Sequence, residues 1–372
     1  MRVVLLGANG MFGKRLAMLL AALPGAQLVL AGRDARALQA LRARLQPAPG
    51  NAIEALVVDL DGEHAANIIT AACPDVLIDT CGPFQQRDYR WPRLAIGTGF
   101  HYLDLADAPD FVAGIGVLDG AARAAKVLVC SGASTVPALS SAVLDEYCGR
   151  FSALEYVEVG ISPGNQAERG RATVRSILSN VGKPHAQFID GQLHMRAGWS
   201  QLRRHRYAAP VGTRWLSYCA VPDALVLPAR YPGLRSLEFR AGLELHRMHL
   251  GTWLGGLLVR AHLLPSLLPL ADWARRLSER WIKAGSDRGA MHVRMRGFDQ
   301  AQRPLDLSWE LIAAQGDGTY VPASAAAAIV RLLIEGQLDR RGALPCVGLL
   351  NLGDFADTLR GRAVRFHCED RP

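Results

Sequence analysis

The chain has 372 residues, half of them hydrophobic and a fifth charged, an ordinary globular composition with length for two or three domains and a sizeable core. Its net charge of +8, carried almost wholly by arginine, suits acidic ligands or anionic surfaces but is too modest for this length to point to nucleic acid. Seven scattered cysteines without a C-x-x-C pair fit neither a disulfide framework nor a zinc site, so no metal and a reducing compartment, the cytoplasm, are expected. The most apolar stretch, Leu250 to Ala271, is broken by Arg260, His262, Pro265 and Pro269 and does not read as a membrane span.

Val3-Val4-Leu5-Leu6 is an apolar run of the kind a strand buried on both faces needs. It enters Gly7-Ala8-Asn9-Gly10-Met11-Phe12-Gly13 and then a helical pattern from Lys14 to Leu20. Strand, glycine turn and helix in that order cradle a pyrophosphate: the glycines let the backbone approach the phosphates, and the helix N-terminus offers unpaired N–H groups. The alternative is a βα turn without a ligand. Gln27 to Ala31 reads as the second strand, ending in Gly32-Arg33-Asp34, where this fold class contacts the adenosine ribose. Arg33 offers a planar cation to a 2′-phosphate, so NADP is expected over NAD. Asp34 stands at the same ribose position and also reads as N-cap of a helix from Ala35 to Leu45.

Ile53 to Val58 is the third strand, with Asp59 placed either to approach the adenine edge or to make a turn. A helix from Glu63 to Ala72 leads to the strand Val76 to Ile78, after which Cys81-Gly82-Pro83 presents bare backbone to the nicotinamide half of the cofactor. A helix from Trp91 to Gly97, a strand from His101 to Leu105 and another from Val127 to Cys130 complete a doubly wound parallel sheet. Tyr102 and Asp104 are two apart and share a strand face. If that face looks into the cofactor crevice they are the catalytic candidates, for proton transfer or substrate orientation. Their structural alternatives are a core aromatic and a loop anchor. Asp107, before Ala108-Pro109, reads as an N-cap.

After a helix from Ala138 to Tyr147 the alternation stops. Leu154 to Ser162, Arg204 to Ala208, Arg214 to Cys219, Ser236 to Arg240, Ala290 to Gly297 and Pro304 to Ala313 read as strands of a mostly antiparallel sheet in a second, α+β domain. Arg203-Arg204-His205-Arg206 reads as a solvated loop, with anion binding as the alternative. Further on, Trp273, Leu277 and Trp281 share one helical face while Arg275, Arg276, Arg280 and Lys283 lie elsewhere. Residues 250–283 thus read as an amphipathic segment for core packing, a homodimer or domain interface, or peripheral membrane contact. Tyr320 to Glu335 is an alanine-rich helix ended by Gly336, Asp354 to Leu359 a short helix, and the tail an edge strand.

The glycine turn, AGRD (31–34), CGPFQ (81–85), HYLDLAD (101–107) and SGASTVPALSS (131–141), in this order and spacing, resemble the saccharopine dehydrogenase-like oxidoreductases. GSDRGAMHV (285–293), the Trp309 strand, GDGTYVP (316–322) and PCVGLLNL (345–352) resemble a bacterial subgroup of that family. The resemblance implies a Rossmann domain over 1–134, an inserted, mostly antiparallel α+β domain over 135–319 for substrate binding or dimerisation, and a 320–372 segment returning to the first domain. It implies NADP(H), with contacts at Gly7, Asn9, Gly10, Met11, Phe12, Gly13 and Arg33 and around Cys81, Gly82 and Pro83. It does not transfer a substrate, since founding members act on an amino-acid adduct and other relatives look like enoyl reductases of lipid assembly. The expected activity is hydride transfer between the nicotinamide and a C=N, C=O or C=C group of a small-molecule substrate, either amino-acid-like or, as the apolar middle domain suggests, lipid-like. A non-catalytic NADP(H)-binding or membrane-associated protein on the same fold is the alternative.

Overall fold

The computed structural model describes residues 1–168 and 170–371. They form two compact units, one of Met1–Leu139 with Thr319–Arg360, the other of the described residues within Ser140–Gly318 and Gly361–Pro372.

The first unit is built on a seven-stranded parallel sheet in the order Gly342–Pro345, Leu128–Ser131, His101–Asp104, Val76–Asp79, Arg2–Leu6, Gln27–Gly32, Ile53–Val57. Val3 to Leu6 and Val76 to Asp79 are buried along their whole length, as an interior parallel strand covered on both faces requires. Arg2–Leu6 pairs with Gln27–Gly32 on one side and Val76–Asp79 on the other, so the strand order reverses there. Ligands of open α/β sheets bind outside the carboxyl ends of the strands at such a switch point. The helix Met11–Ala21 buries Gly13, Leu16, Ala17, Leu20 and Ala21. In Val321–Ile334 eleven of fourteen residues are buried, a density that its small alanines make possible. The seventh strand, Gly342–Pro345, carries no alternation that periodicity could detect, and its proline is tolerated because the strand lies at the sheet edge.

The second unit's sheet runs Arg203–Arg206, Thr213–Tyr218, Ser236–Ala241, Phe151–Ser162, Gly289–Asp299, Pro304–Ala313, Val364–Arg371. Among the described strands of this sheet only Phe151–Ser162 and Ser236–Ala241 pair in parallel. A hairpin, Pro184–Ile189 with Gln192–Ala197, hangs from Ser236–Ala241. Its Asp190-Gly191 turn has φ of +49° and +80°, the backbone a two-residue hairpin loop needs, and this Asp-Gly hairpin was not among the strands expected from sequence.

Three local expectations are corrected. Arg203–Arg206 is a strand, overlapping the one read from Arg204 to Ala208, and not the solvated loop also expected for this cluster, because alternate side chains face opposite ways and His205 turns into the interior. Asp107 lies one residue too early to cap its helix, since Ala108 takes the N-cap place and Pro109 the first turn. The tail Val364–Arg371 pairs with Pro304–Ala313 in the second unit, whereas 320–372 as a whole was expected in the first. It is an edge strand, as its sequence suggested.

Candidate functional site

Gly7 leaves the first strand with φ of +74°, a conformation that β-carbons disfavour. A Cβ at Gly13 would stand 2.2 Å from the Gly7 carbonyl oxygen, so the helix can begin against the turn only while residue 13 is glycine. Gly10 is the N-cap without a side-chain cap bond, and no acidic residue sits in the first helical turn. The leading N–H groups of Met11, Phe12 and Gly13 therefore have no intrahelical acceptor and suit an anion. Asn9 donates from Nδ2 to the Asp34 carbonyl at 3.5 Å, and its Oδ1 is buried without a partner. The turn closes on the end of the Val76–Asp79 strand: a Cβ at Gly7 would lie 2.7 Å from Cys81 Sγ and 2.9 Å from Thr80 Oγ1.

Arg33 is exposed and has no ion-pair partner among the described residues. Asp34 Oδ1 accepts the Ala37 N–H at 3.0 Å, so this carboxylate caps its helix. Asp59 shapes a turn, with Oδ1 accepting from the Asp61 N–H at 3.3 Å and its carbonyl from the Gly62 N–H at 3.0 Å. The uncapped helix start, the unpartnered Asn9 oxygen and the unpaired Arg33 fit a phosphorylated dinucleotide.

Asp79 and Asp104 are register partners on adjacent strands, and both are buried. Asp79 accepts the Cys81 N–H at 2.8 Å and Arg87 Nη1 at 3.2 Å; Nη1 also donates to the Cys81 carbonyl at 2.7 Å. Asp79 and Arg87 thus fasten the Cys81-Gly82-Pro83 loop, a role no motif announces. The only hint in the sequence is an aspartate closing a buried strand just before the loop. Burial raises the Asp79 carboxyl above its ordinary value against the pull of Arg87, and pushes the Cys81 thiol well up, so Cys81 is not a thiolate.

Asp104 Oδ1 accepts three hydrogen bonds, from the Ala106 N–H at 3.0 Å, Ser131 Oγ at 2.9 Å and the Gly132 N–H at 2.8 Å. Its Oδ2 is buried without a partner, and burial pushes the carboxyl up to about 7 despite those bonds. Tyr102 lies in the first unit's core with Leu77, Trp91 and Val129, its phenol raised by burial and then by the Asp104 and Asp79 carboxylates. The two share a strand face as expected, and both are wholly buried. A separate cleft beside Met1, Asp75 and His101 opens at the amino ends of the strands, the wrong end for a ligand in this fold class.

The second unit holds a buried polar network on one face of its sheet. Strand register sets His292 between Gly160 and Glu310, and Glu158 beside Arg294 and Glu238. The His292 and His205 rings stack with centroids 3.7 Å apart and planes 2° from parallel. A neutral His292 with its proton on Nε2 satisfies both neighbours, donating to Glu158 Oε1 at 3.2 Å and accepting from the Tyr207 hydroxyl at 3.0 Å. His205 Nε2 lies 3.4 Å from Glu310 Oε1. Burial pushes His292 down to about 4. Burial opposes ionisation of Glu158, but the bond from His292 and the charges of Arg203 and Arg240 outweigh it. Glu158, His205 and His292 bring ligand-type atoms within 4.8 Å of one another. Stacked imidazoles aim their lone pairs in parallel rather than at one point, and two guanidiniums already neutralise Glu158, so the group reads as an ion-pair network rather than a metal centre.

A Cβ on residue 160 would fall 2.1 Å from His292 Cε1. Gly160→Ala is expected to cost about 1–3 kcal/mol as an overpacked interior. The urea midpoint of unfolding measures it, and an unchanged midpoint would show that the stacked pair has room to yield.

Residues 3–146 match the family described as saccharopine dehydrogenase NADP binding domain. A comparison with curated proteins finds no match. Among solved structures the chain is similar to an apo saccharopine dehydrogenase (L-Glu forming) from Saccharomyces cerevisiae, with a TM-score of 0.63, 12% identity and 99% of each chain covered. It also resembles an amine dehydrogenase from Mycobacterium smegmatis, with a TM-score of 0.48, 12% identity and 94% of this chain and 95% of that one covered. At 12% identity the likeness to the yeast enzyme shows the fold alone.

Proposed function

We propose that the chain, whose residues 3–146 match the saccharopine dehydrogenase NADP binding domain family, is an NADP-dependent oxidoreductase acting on a C=N, C=O or C=C group of a small-molecule substrate. One observation carries this reading: a glycine turn feeds an uncapped helix N-terminus at the switch point of the sheet, with Arg33 unpaired at the neighbouring strand end. Gly7, Asn9, Gly10, Met11, Phe12 and Gly13 hold the pyrophosphate, Arg33 the 2′-phosphate, and Asp34 and Asp59 flank the adenosine. Cys81, Gly82 and Pro83, braced by Asp79 and Arg87, back the nicotinamide. When bound, NADP(H) exchanges the hydride. Asp104 handles the proton, and Tyr102 acts through it from the core.

On the polar sheet face Arg203, Arg240 and Arg294 are paired with Glu158, Glu238 and Asp306, and Arg296, with no ion pair among the described residues, favours an amino-acid-type substrate over the lipid-like one that composition suggested. The scattered cysteine spacing in the sequence keeps a reducing, cytoplasmic setting as the compartment we expect.

Arg33→Ala is expected to weaken NADPH binding about tenfold to a hundredfold, the worth of a charge-assisted bond, and to leave NADH binding unchanged. Fluorescence titration with both nucleotides reads it, and equal losses would mean that Arg33 does not touch a 2′-phosphate. The complete burial of Tyr102 and Asp104 favours a second reading, an NADP(H)-binding protein without turnover. Measurable NADPH oxidation with any member of a carbonyl, imine and enoyl panel rules that reading out.

A further inference from the structure

Two helices of the second unit turn large apolar side chains outward. His246–Arg260 buries only His249, Gly256 and Val259 of its fifteen residues. Leu250, Leu254 and Leu258, four residues apart on one helical face, are 39%, 54% and 37% exposed. Leu263 in the following turn is 70% exposed, and Trp273 on the helix Ala271–Arg280 is 62% exposed, although two tryptophans at helical spacing ordinarily go into a core. The segment is nonetheless anchored. Val259, Leu267 and Ala271 enter one cluster with Leu178, Val181 and Trp199, and the Arg247 guanidinium lies 4.2 Å over the Trp281 ring. The inward faces are thus packed while the leucine stripe and Trp273 face solvent.

The charges around this patch say what suits it. Residues 246–283 carry Arg247, Arg260, Arg275, Arg276, Arg280 and Lys283 against only Asp272 and Glu279. Both acids are engaged, Asp272 by Arg171 and Glu279 by Arg275. On the second helix Arg276 and Arg280 are three and seven residues beyond Trp273 and so flank it, rather than lying away from its face as expected above. Leucines for acyl chains, a tryptophan for the interface and arginines for phosphates make up the chemistry of a helix lying on an anionic bilayer. A second copy of this chain fits less well, because a two-fold contact would press this basic patch against itself. No helix among the described residues is long and apolar enough to cross a membrane.

We propose that residues 246–283 rest on the surface of anionic lipid bilayers, with Leu250, Leu254, Leu258, Leu263 and Trp273 inserted and Arg276 and Arg280 at the phosphates. The proposal is independent of the cofactor reading and is tested without nucleotide. The full chain is floated with vesicles of mixed phosphatidylglycerol and phosphatidylcholine and with phosphatidylcholine alone. It should float with the first, not the second, and release as salt is raised. Leu254→Ser with Trp273→Ser, and separately Arg276→Gln with Arg280→Gln, should each lower partitioning about tenfold or more. These positions are exposed, so the variants should keep the wild-type melting temperature. Quenching of wild-type tryptophan emission by brominated phosphatidylglycerol gives a second readout that needs no variant. Absence of flotation and quenching would overturn the proposal. So would equal flotation of Leu254→Ser/Trp273→Ser and wild type, which would reduce the binding to general basic charge. A wild-type dimer in sedimentation that this variant abolishes, without vesicle binding, would assign the patch to a second copy.

Discussion

A Gly13→Ala chain is expected to lose NADPH affinity by about a hundredfold, roughly 2.7 kcal/mol, and to melt earlier. The new Cβ would sit 2.2 Å from the Gly7 carbonyl oxygen and 3.0 Å from Ala8 Cα, against backbone that no rotamer change can move. The strand-to-helix turn must open, which carries the leading N–H groups of Met11–Ala21 away from the place where a pyrophosphate would lie. The stability loss should be about 1–3 kcal/mol, as for other overpacked interiors. Nucleotide titration and thermal melting separate the two effects. Gly97→Ala is the control, since a Cβ there meets nothing within 4 Å and binding should not change. A folded Gly13→Ala chain with wild-type affinity would put the phosphates somewhere other than the glycine turn.

Asp104→Asn should divide turnover from binding, lowering kcat about a hundredfold on whatever substrate the panel yields while NADPH affinity holds. It should also change how stability depends on pH. Burial holds the Asp104 carboxyl at about 7, above its ordinary 3.8, so between those values the folded chain keeps a proton that the unfolded chain has released. Stability from this group is complete below the lower value and is lost as pH rises through the higher one. The amide cannot titrate, and its oxygen can still accept from Ala106, Ser131 and Gly132. The variant should therefore gain on wild type as pH rises, by up to about 1.4 kcal/mol per pH unit, and level off above about 7. Asp223, another buried carboxyl at about 7, is present in both chains and cancels in the comparison. A stability difference that does not vary with pH would show Asp104 ionised throughout, and unchanged turnover would remove it from proton transfer.

The first unit was largely legible because its signals are local. Runs such as Val3 to Leu6 and Val76 to Ile78 announce strands covered on both faces, and the glycines and prolines between elements mark where each one stops. Asp34 as N-cap and the helix before Gly336 followed from capping chemistry alone. Gly342–Pro345 escaped because its strand character comes from Leu128–Ser131, a partner far back in the chain. The strand near Arg204 was legible, but the burial of His205 was not, for a similar reason. Arg203 and His205 look solvated until Glu158, His292 and Glu310 arrive from three other strands to pair with and stack against them.

Neighbouring residues sufficed for the glycine turn, the place of Arg33 at the next strand end and the doubly wound sheet that presents both, because turn geometry, helix starts and strand burial are written in them. Only the tertiary structure decided that Tyr102 and Asp104 face the interior, that Asp79 and Arg87 brace the Cys81 loop, and that Trp273 stays in solvent while Trp199 is buried. Which way a face looks depends on what is packed against it. That partner is supplied by residues remote in the chain, and local periodicity carries no record of them.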